Sequence, residues 1–201
     1  MLNVGLTGGL ASGKSFVGGV LRGLGCRLIK ADELGHEVLM PGGAAYAAVV
    51  EAFGSAVLSD DGTIDRRRLA ALVFTDTALL AKLNGIVHPA VFRREHELTA
   101  EFAAADPSAI VVVEAAILVE TGSYKRFARL IVAACRREQQ IERAMKRDRL
   151  TREEAEARLA RQLPLEDKVR LADYVVDTSG TKENTTAQVH EVYRALRSIQ
   201  Q

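Results

Sequence analysis

Short, mainly apolar runs alternate along the chain with longer stretches in which apolar positions recur every three or four residues. The short runs are Leu2–Thr7, Cys26–Ala31, Ala109–Val113, Leu130–Ala134 and Tyr174–Asp177. Apolar runs of that length mark strands buried on both faces, and their alternation with helical periods predicts a parallel sheet covered by helices. Ser12 to about Leu24 reads as a helix, although Gly18, Gly19 and Gly23 weaken it by propensity. Asn184–Ile199 reads as a closing amphipathic helix. Thr151-Arg-Glu-Glu154 is a capping box, in which a hydroxyl and a carboxylate satisfy the free amides of a helix start.

Between the second and third runs the rhythm changes. Residues 32–105 carry helical patterns punctuated by Pro41-Gly42-Gly43, Gly54, Asp60-Asp61-Gly62 and His88-Pro89, with brief Ala56–Leu58 as the one strand candidate. That much helix between two strands exceeds an ordinary crossover and predicts an inserted helical subdomain. His88-Pro89 reads as the junction of two helical segments.

Composition narrows the class without deciding it. The chain has 201 residues, 48% of them hydrophobic, enough for one α/β domain carrying an insertion. With 27 basic and 26 acidic residues the net charge is +1, which gives no general reason to expect nucleic acid or an anionic membrane as partner. Cys26 and Cys135 form no C-x-x-C pair and read as buried thiols of a reducing compartment. The first residues run straight into a glycine-rich motif rather than a signal sequence, and no apolar run approaches membrane-spanning length. The expectation is a cytoplasmic protein, monomeric by default.

Gly8-Gly9-Leu10-Ala11-Ser12-Gly13-Lys14-Ser15 satisfies G-x-x-x-x-G-K-[ST], with a predicted strand before it and a helix after it. Glycines let the backbone fold around phosphate so that amides point inward, and the helix N-terminus adds partial positive charge. Lys14 is expected on the β- and γ-phosphates of ATP and the Ser15 hydroxyl on Mg²⁺. A guanine-reading Asn-Lys-x-Asp is absent, and the D-x-x-G of Asp32–Gly35 follows the loop too closely to leave room for a switch region. A small kinase fits best.

Other residues admit two readings each. Asp32, at the carboxyl end of the second predicted strand, is either a general base and metal partner or a helix N-cap. Glu114, at the end of the third, either supports Mg²⁺ or the acceptor or faces solvent. Arg143 and Arg147 share a helix face with Gln140, either as a phosphate- and adenine-contacting surface or as a solvated face among Glu138, Glu142, Lys146 and Asp148. Lys30, two residues before Asp32, would share its strand face and favour its charged form, or else point away.

The run Gly5–Ser15 followed by Ile29-Lys-Ala-Asp-Glu33 resembles dephospho-CoA kinases. Phe53-Gly54, Asp61-Gly62, Asp65-Arg66-Arg67, Val73-Phe74, His88-Pro89, Ile117–Glu120, Gln140, Arg143, Arg147-Asp148, Gln162, Ala172-Asp173 and Gly180 extend the likeness in order over nearly the whole chain. The resemblance implies a three-layer P-loop NTPase fold: a five-stranded parallel sheet, a helical substrate-binding insertion and a helical lid. The implied domains are a nucleotide-binding core (1–31, 106–136 and 172–201), an acceptor domain (32–105) and a lid (137–171). The implied reaction moves the ATP γ-phosphate to the ribose 3′-hydroxyl of dephospho-CoA. Asp32, Lys14 and Arg143 would be catalytic. Gly9, Ala11, Ser12, Gly13, Lys14, Ser15, Phe16, Arg143 and Arg147 would hold nucleotide, while Thr7, Asp32, His88 and Glu114 would meet the acceptor. The chain departs from the family pattern at Lys30, where Asp-Ala-Asp is usual, at Ala116-Ile117-Leu118, where Pro-Leu-Leu is frequent, and at Phe16, where Thr is usual.

Overall fold

Strands form where the sequence runs apolar: β1 (Leu2–Gly8), β2 (Arg27–Lys30), β3 (Ile110–Glu114), β4 (Arg129–Ala134) and β5 (Tyr174–Asp177). In the computed structural model, which describes residues 1–200, they make one parallel sheet in the order β2-β3-β1-β4-β5. β1 lies between β3 and β4, pairing Leu2 with Ile110, Val4 with Val112 and Leu6 with both Glu114 and Ile131. Central position explains its composition. Val4 and Leu6 are fully buried, as are Val111, Val112 and Val113 of β3, the two-sided burial that parallel strands require.

The chain divides into two compact units, one made of Met1–Ile29 with the stretch from Glu101 onward, the other of Lys30–Ala100. In the first unit, α1 (Lys14–Gly23) packs beside α9 (Lys182–Ile199) and on the sheet. Val17 and Leu21 of α1 and Val189 and Leu196 of α9 join Val4, Ile131 and their neighbours in the main core. α9 is started by Thr181, whose hydroxyl accepts from the Asn184 amide, so its four orphan amides are partly satisfied before the apolar face docks. The remaining elements are α6 (Arg137–Asp148), α7 (Arg152–Ala160) and α8 (Leu165–Arg170). α7 begins with the expected capping box, Thr151 and Glu154 each bonding the other's amide. α6 and α7 share a small core of Ile141, Ala144, Ala155 and Leu159, against which Leu10 and Ala11 pack.

The second unit is helical: α2 (Ala31–Glu37), α3 (Tyr46–Phe53), α4 (Arg66–Val73) and most of α5 (Thr77–Ala105). Val49, Val57, Leu69 and Val73 form its core. Asp65 caps α4 through the amides of Arg67 and Arg68. The brief Ala56–Leu58 candidate is a 3₁₀ turn, Ser55–Val57, with a single bridge from Leu58 to Ile64. Val57 is buried in the core of this unit with Val49, Leu69 and Val73, and the strand pairing stops at that one bridge.

Two further expectations are corrected. His88-Pro89 does not separate helices, because α5 runs unbroken through Pro89. Proline inside a helix costs about 3 kcal/mol, chiefly through the lost bond to residue i−4 and a clash with its carbonyl. Here that residue is Gly85, and Ala90 and Val91 directly after the proline are buried, so packing holds the turn. Nor does Lys30 share a strand face with Asp32. The backbone turns helical at Ala31, Lys30 occupies the N-cap position of α2, and its ammonium pairs with Glu33 at 2.7 Å.

Among the described residues no helix is long and apolar enough to cross a membrane. Cys26 and Cys135 are both buried free thiols, and burial pushes the Cys26 thiol up to about 11. The core reading predicts that Leu196→Ala, which empties a wholly buried site on α9, lowers stability by about 2–5 kcal/mol in denaturant unfolding.

Candidate active site

β1 ends at Gly8, and the chain loops through Gly9–Gly13 before α1 begins at Lys14. No side chain caps α1; its N-cap is Gly13, at φ 89. A left-handed N-cap leaves the first amides of the helix open to a ligand. Ala11 is also left-handed, at φ 52, an uncommon state for a residue bearing a Cβ. Something outside the loop must therefore hold it.

That support comes from α6 and from the turn after α7. Gln140 is buried and donates from Nε2 to the Leu10 carbonyl at 3.0 Å, while the Leu10 amide donates to Gln162 Oε1 at 2.8 Å. Both main-chain groups of Leu10 are thus taken by glutamines far away in sequence. A third contact reaches the loop from the end of β5, where the buried Thr178 hydroxyl donates to the Ser12 carbonyl at 2.8 Å. Arg143 donates from its two Nη atoms to the Thr178 hydroxyl (3.2 Å) and carbonyl (2.7 Å).

These contacts shape a cavity of about 240 Å³ lined by Ala11–Phe16 together with Arg143 and Arg147. Of the residues expected to hold nucleotide, only Gly9 lies outside this set. It lines a second cavity of about 270 Å³ with Gln140, Gln162, Arg137 and Cys135. Burial raises the Cys135 thiol above its ordinary value, against the pull of Arg143, so at neutral pH it stays protonated. Lys14 donates to the carbonyls of Gly8 and Gly9 at 3.1 and 2.9 Å. Arg147 pairs with Asp148 at 2.7 Å, and its guanidinium holds the Asp148 carboxyl below the usual range. Three cationic side chains at a helix N-terminus make this an anion site in a protein of almost no net charge.

The Ser15 hydroxyl donates to Glu114 Oε1 at 2.7 Å. Glu114 is buried at the end of β3, and its Oε2 has no hydrogen-bond partner. A buried carboxylate oxygen without a partner is costly unless a cation or donor completes it. The pair is a set of hard oxygens suited to Mg²⁺, which takes few protein ligands and keeps waters.

Asp32 is an exposed residue in the first turn of α2, two places beyond the end of β2. Its N-cap reading fails, since Lys30 holds that position. His88 is half-buried on α5, its ring 6.2 Å from that of Phe92. Both belong to the helical unit, whereas the loop residues, Glu114, Arg143 and Arg147 belong to the first. Thr7 is wholly buried and donates to the Ala116 carbonyl at 3.2 Å. Gln140, Gln162 and Thr178 are the supports that sequence reasoning missed in role. Thr178 follows the carboxyl end of β5, and the strand-end argument applied to Asp32 and Glu114 would have found it.

A sequence model of dephospho-CoA kinase matches residues 2–184. The dephospho-CoA kinase of Geobacter sulfurreducens is 40% identical over 190 residues, covering 94% of this chain and 96% of that one. Among solved structures, a Thermus thermophilus protein superposes with a TM-score of 0.82 at 31% identity, covering 97% of both chains. The dephospho-CoA kinase of Campylobacter jejuni superposes at 0.71 with 25% identity, covering 98% of this chain and 97% of its own.

The geometry around Gly9 makes a test of the loop support. A Cβ there would sit 2.2 Å from Gln140 Nε2. Gly9→Ala is expected to displace that amide from Leu10 and cost about 1–3 kcal/mol in thermal or denaturant unfolding. Gln140→Ala in the same chain should then cost less than its separate effect, a coupling readable from a double-mutant cycle.

Proposed function

The chain belongs to the dephospho-CoA kinase family, and from that premise we propose that it transfers the γ-phosphoryl group of ATP to the ribose 3′-hydroxyl of dephospho-CoA. The products are coenzyme A and ADP. The observation that carries the assignment of the site is the gathering of Lys14, Ser15, Arg143 and Arg147 around one cavity at the N-terminus of α1.

Phosphoryl transfer passes through a loose transition state with charge spread over the moving phosphoryl oxygens, so positioning and electrostatic stabilisation do most of the work. The amides of Gly13, Lys14 and Ser15, where α1 begins, hold the phosphates. Lys14 lies against the β- and γ-phosphates and neutralises charge as it shifts toward the leaving ADP. Arg143 has five N–H donors, of which the Thr178 contacts use two. The others meet the phosphate chain, with Arg147 beside them and Phe16 flanking the nucleotide. Asp32 accepts the proton of the attacking 3′-hydroxyl. It stands beyond the carboxyl end of a parallel strand, where α/β folds bind ligands, and it coincides with the family's general-base position.

Ser15 and Glu114 are the residues that would hold Mg²⁺. The ion would neutralise and orient the β- and γ-phosphates when bound. Glu114 thus serves the metal rather than the acceptor. The helical unit, Lys30–Ala100, receives dephospho-CoA, with His88 as a contact and not as a base; Thr7 is left out of the acceptor set. Residues 1–31, 106–136 and 172–201 act as the nucleotide-binding core, 32–105 as the acceptor domain and 137–171 as the lid. The protein works as a monomer in the cytoplasm, in keeping with its protonated buried thiols.

Purified protein given MgATP and a panel of hydroxyl acceptors should make coenzyme A, detected by mass spectrometry. Phosphorylation of another acceptor without coenzyme A would sink the assignment. Asp32→Asn should cut turnover by about 10²-fold or more while nucleotide affinity, read by calorimetry, stays near that of the parent. Lys14→Ala should lose both. Ser15→Ala should weaken Mg²⁺-dependent tightening of ATP binding, measured by titration without turnover.

A further inference from the structure

Lys168, on α8, is fully buried. Its ammonium meets Glu120 Oε1 at 2.6 Å and donates to the Ala116 carbonyl at 2.9 Å. Glu120 Oε1 also accepts from the Leu163 amide at 3.2 Å, and Glu120 Oε2 is buried without a partner. A buried ion pair is seldom a source of net stability, because desolvation offsets the Coulombic gain. Two apolar residues would hold α8 in place as well, so the presence of this pair asks for another reason.

Its contacts lead to the phosphate loop by two routes. On one, Glu120 fixes the backbone at Leu163, and the neighbouring Gln162 holds the Leu10 amide. On the other, Lys168 fixes the Ala116 carbonyl, which also accepts from Thr7, directly before the Gly8 that begins the motif. The two routes reach the loop at its start and near its apex. Ala11, immediately after Leu10, is the left-handed residue of the loop.

We propose that the ion pair of buried Lys168 with partly buried Glu120 is a positioning device for the nucleotide loop, setting the Leu10–Ala11 backbone through Gln162 and through Ala116 and Thr7. Ion pairing gives α8 one register, where an apolar contact would tolerate several, and the register of α8 sets the height at which Gln162 meets Leu10. Neither residue touches nucleotide; both act through others. The inference rests on the loop being the ATP site, so binding and turnover of the parent protein are measured first and judge that premise separately.

Lys168→Met leaves the partly buried Glu120 carboxylate without its cation and should lower the melting temperature and weaken ATP-analogue binding together. Glu120→Gln with Lys168→Met removes both charges and should recover most of the melting temperature. Its affinity for the analogue should remain about 3- to 10-fold below the parent's, the range expected when one or two supporting hydrogen bonds are misplaced. Gln162→Ala should weaken binding in the parent and add little in the double variant. Parent-like affinity in a thermally recovered double variant would overturn the proposal, as would a fully additive Gln162→Ala effect. Should the double variant fail to fold, Gln162→Ala combined with the single Glu120→Gln decides by the same criterion of non-additivity.

Discussion

Leu10 has its amide and its carbonyl both bonded by glutamine side chains, from two segments that lie more than a hundred residues further along the chain. A phosphate loop must keep its amides turned inward in a backbone that an isolated peptide would not choose. Gly13 at φ 89 bears this at little cost, but Ala11 at φ 52 does not. The clamp on Leu10, the Thr178 bond to Ser12 and the packing of Leu10 and Ala11 on the α6–α7 core supply what local preference withholds. Preorganisation of this sort is what lets backbone dipoles stabilise charge without reorganising during reaction. The cradle is therefore local in composition and non-local in its support.

Charge is deployed in the same way. The protein as a whole is almost neutral, yet Lys14, Arg143 and Arg147 converge where α1 presents its N-terminus. Elsewhere cations serve architecture. Lys168 is locked in the interior, and Arg152 is tied to Glu138 and Glu156 on the surface. Residue type alone does not separate these uses. Arg143 bonds a threonine and keeps its positive charge uncompensated at that contact, whereas Lys168 and Arg152 face carboxylates, as Arg147 does with Asp148 at the edge of the cavity. Only an uncompensated cation contributes fully to the potential an anionic ligand meets.

Much of the fold was legible because its signals are short in range. β5 falls at Tyr174–Asp177 as its apolar pattern predicts, and the capping box at Thr151 starts α7. The two-sided burial of β3 is written in Ile110–Val113. Where local signals misled, a contact distant in sequence or a change of backbone state was responsible. Period-two reasoning offered a shared face for Lys30 and Asp32 as one of two readings, but that period ends with the strand, and one residue later the chain is helical. His88-Pro89 carries a breaker, yet packing within a 29-residue helix overrode it. Arg143 and Arg147 looked alike on a helix face; one is bonded to Thr178, and the other remains largely exposed beside Asp148.

The phosphate-binding motif, its strand-to-helix setting, the layered α/β architecture and the helical insertion were determined by the sequence itself, because each depends on residue types within a few positions of one another. Tertiary structure alone decided which polar side chains hold the loop and which remain available to a ligand. Thr7 was expected to meet the acceptor and the Gln140 face to contact nucleotide; in the structure their hydrogen bonds go to Ala116 and Leu10. Glu114 and Ser15, apart by most of a domain in sequence, meet at 2.7 Å because β1 and β3 are neighbours in the sheet. Hydrogen bonds require contact within about 3 Å, and no local pattern specifies such proximity between distant segments.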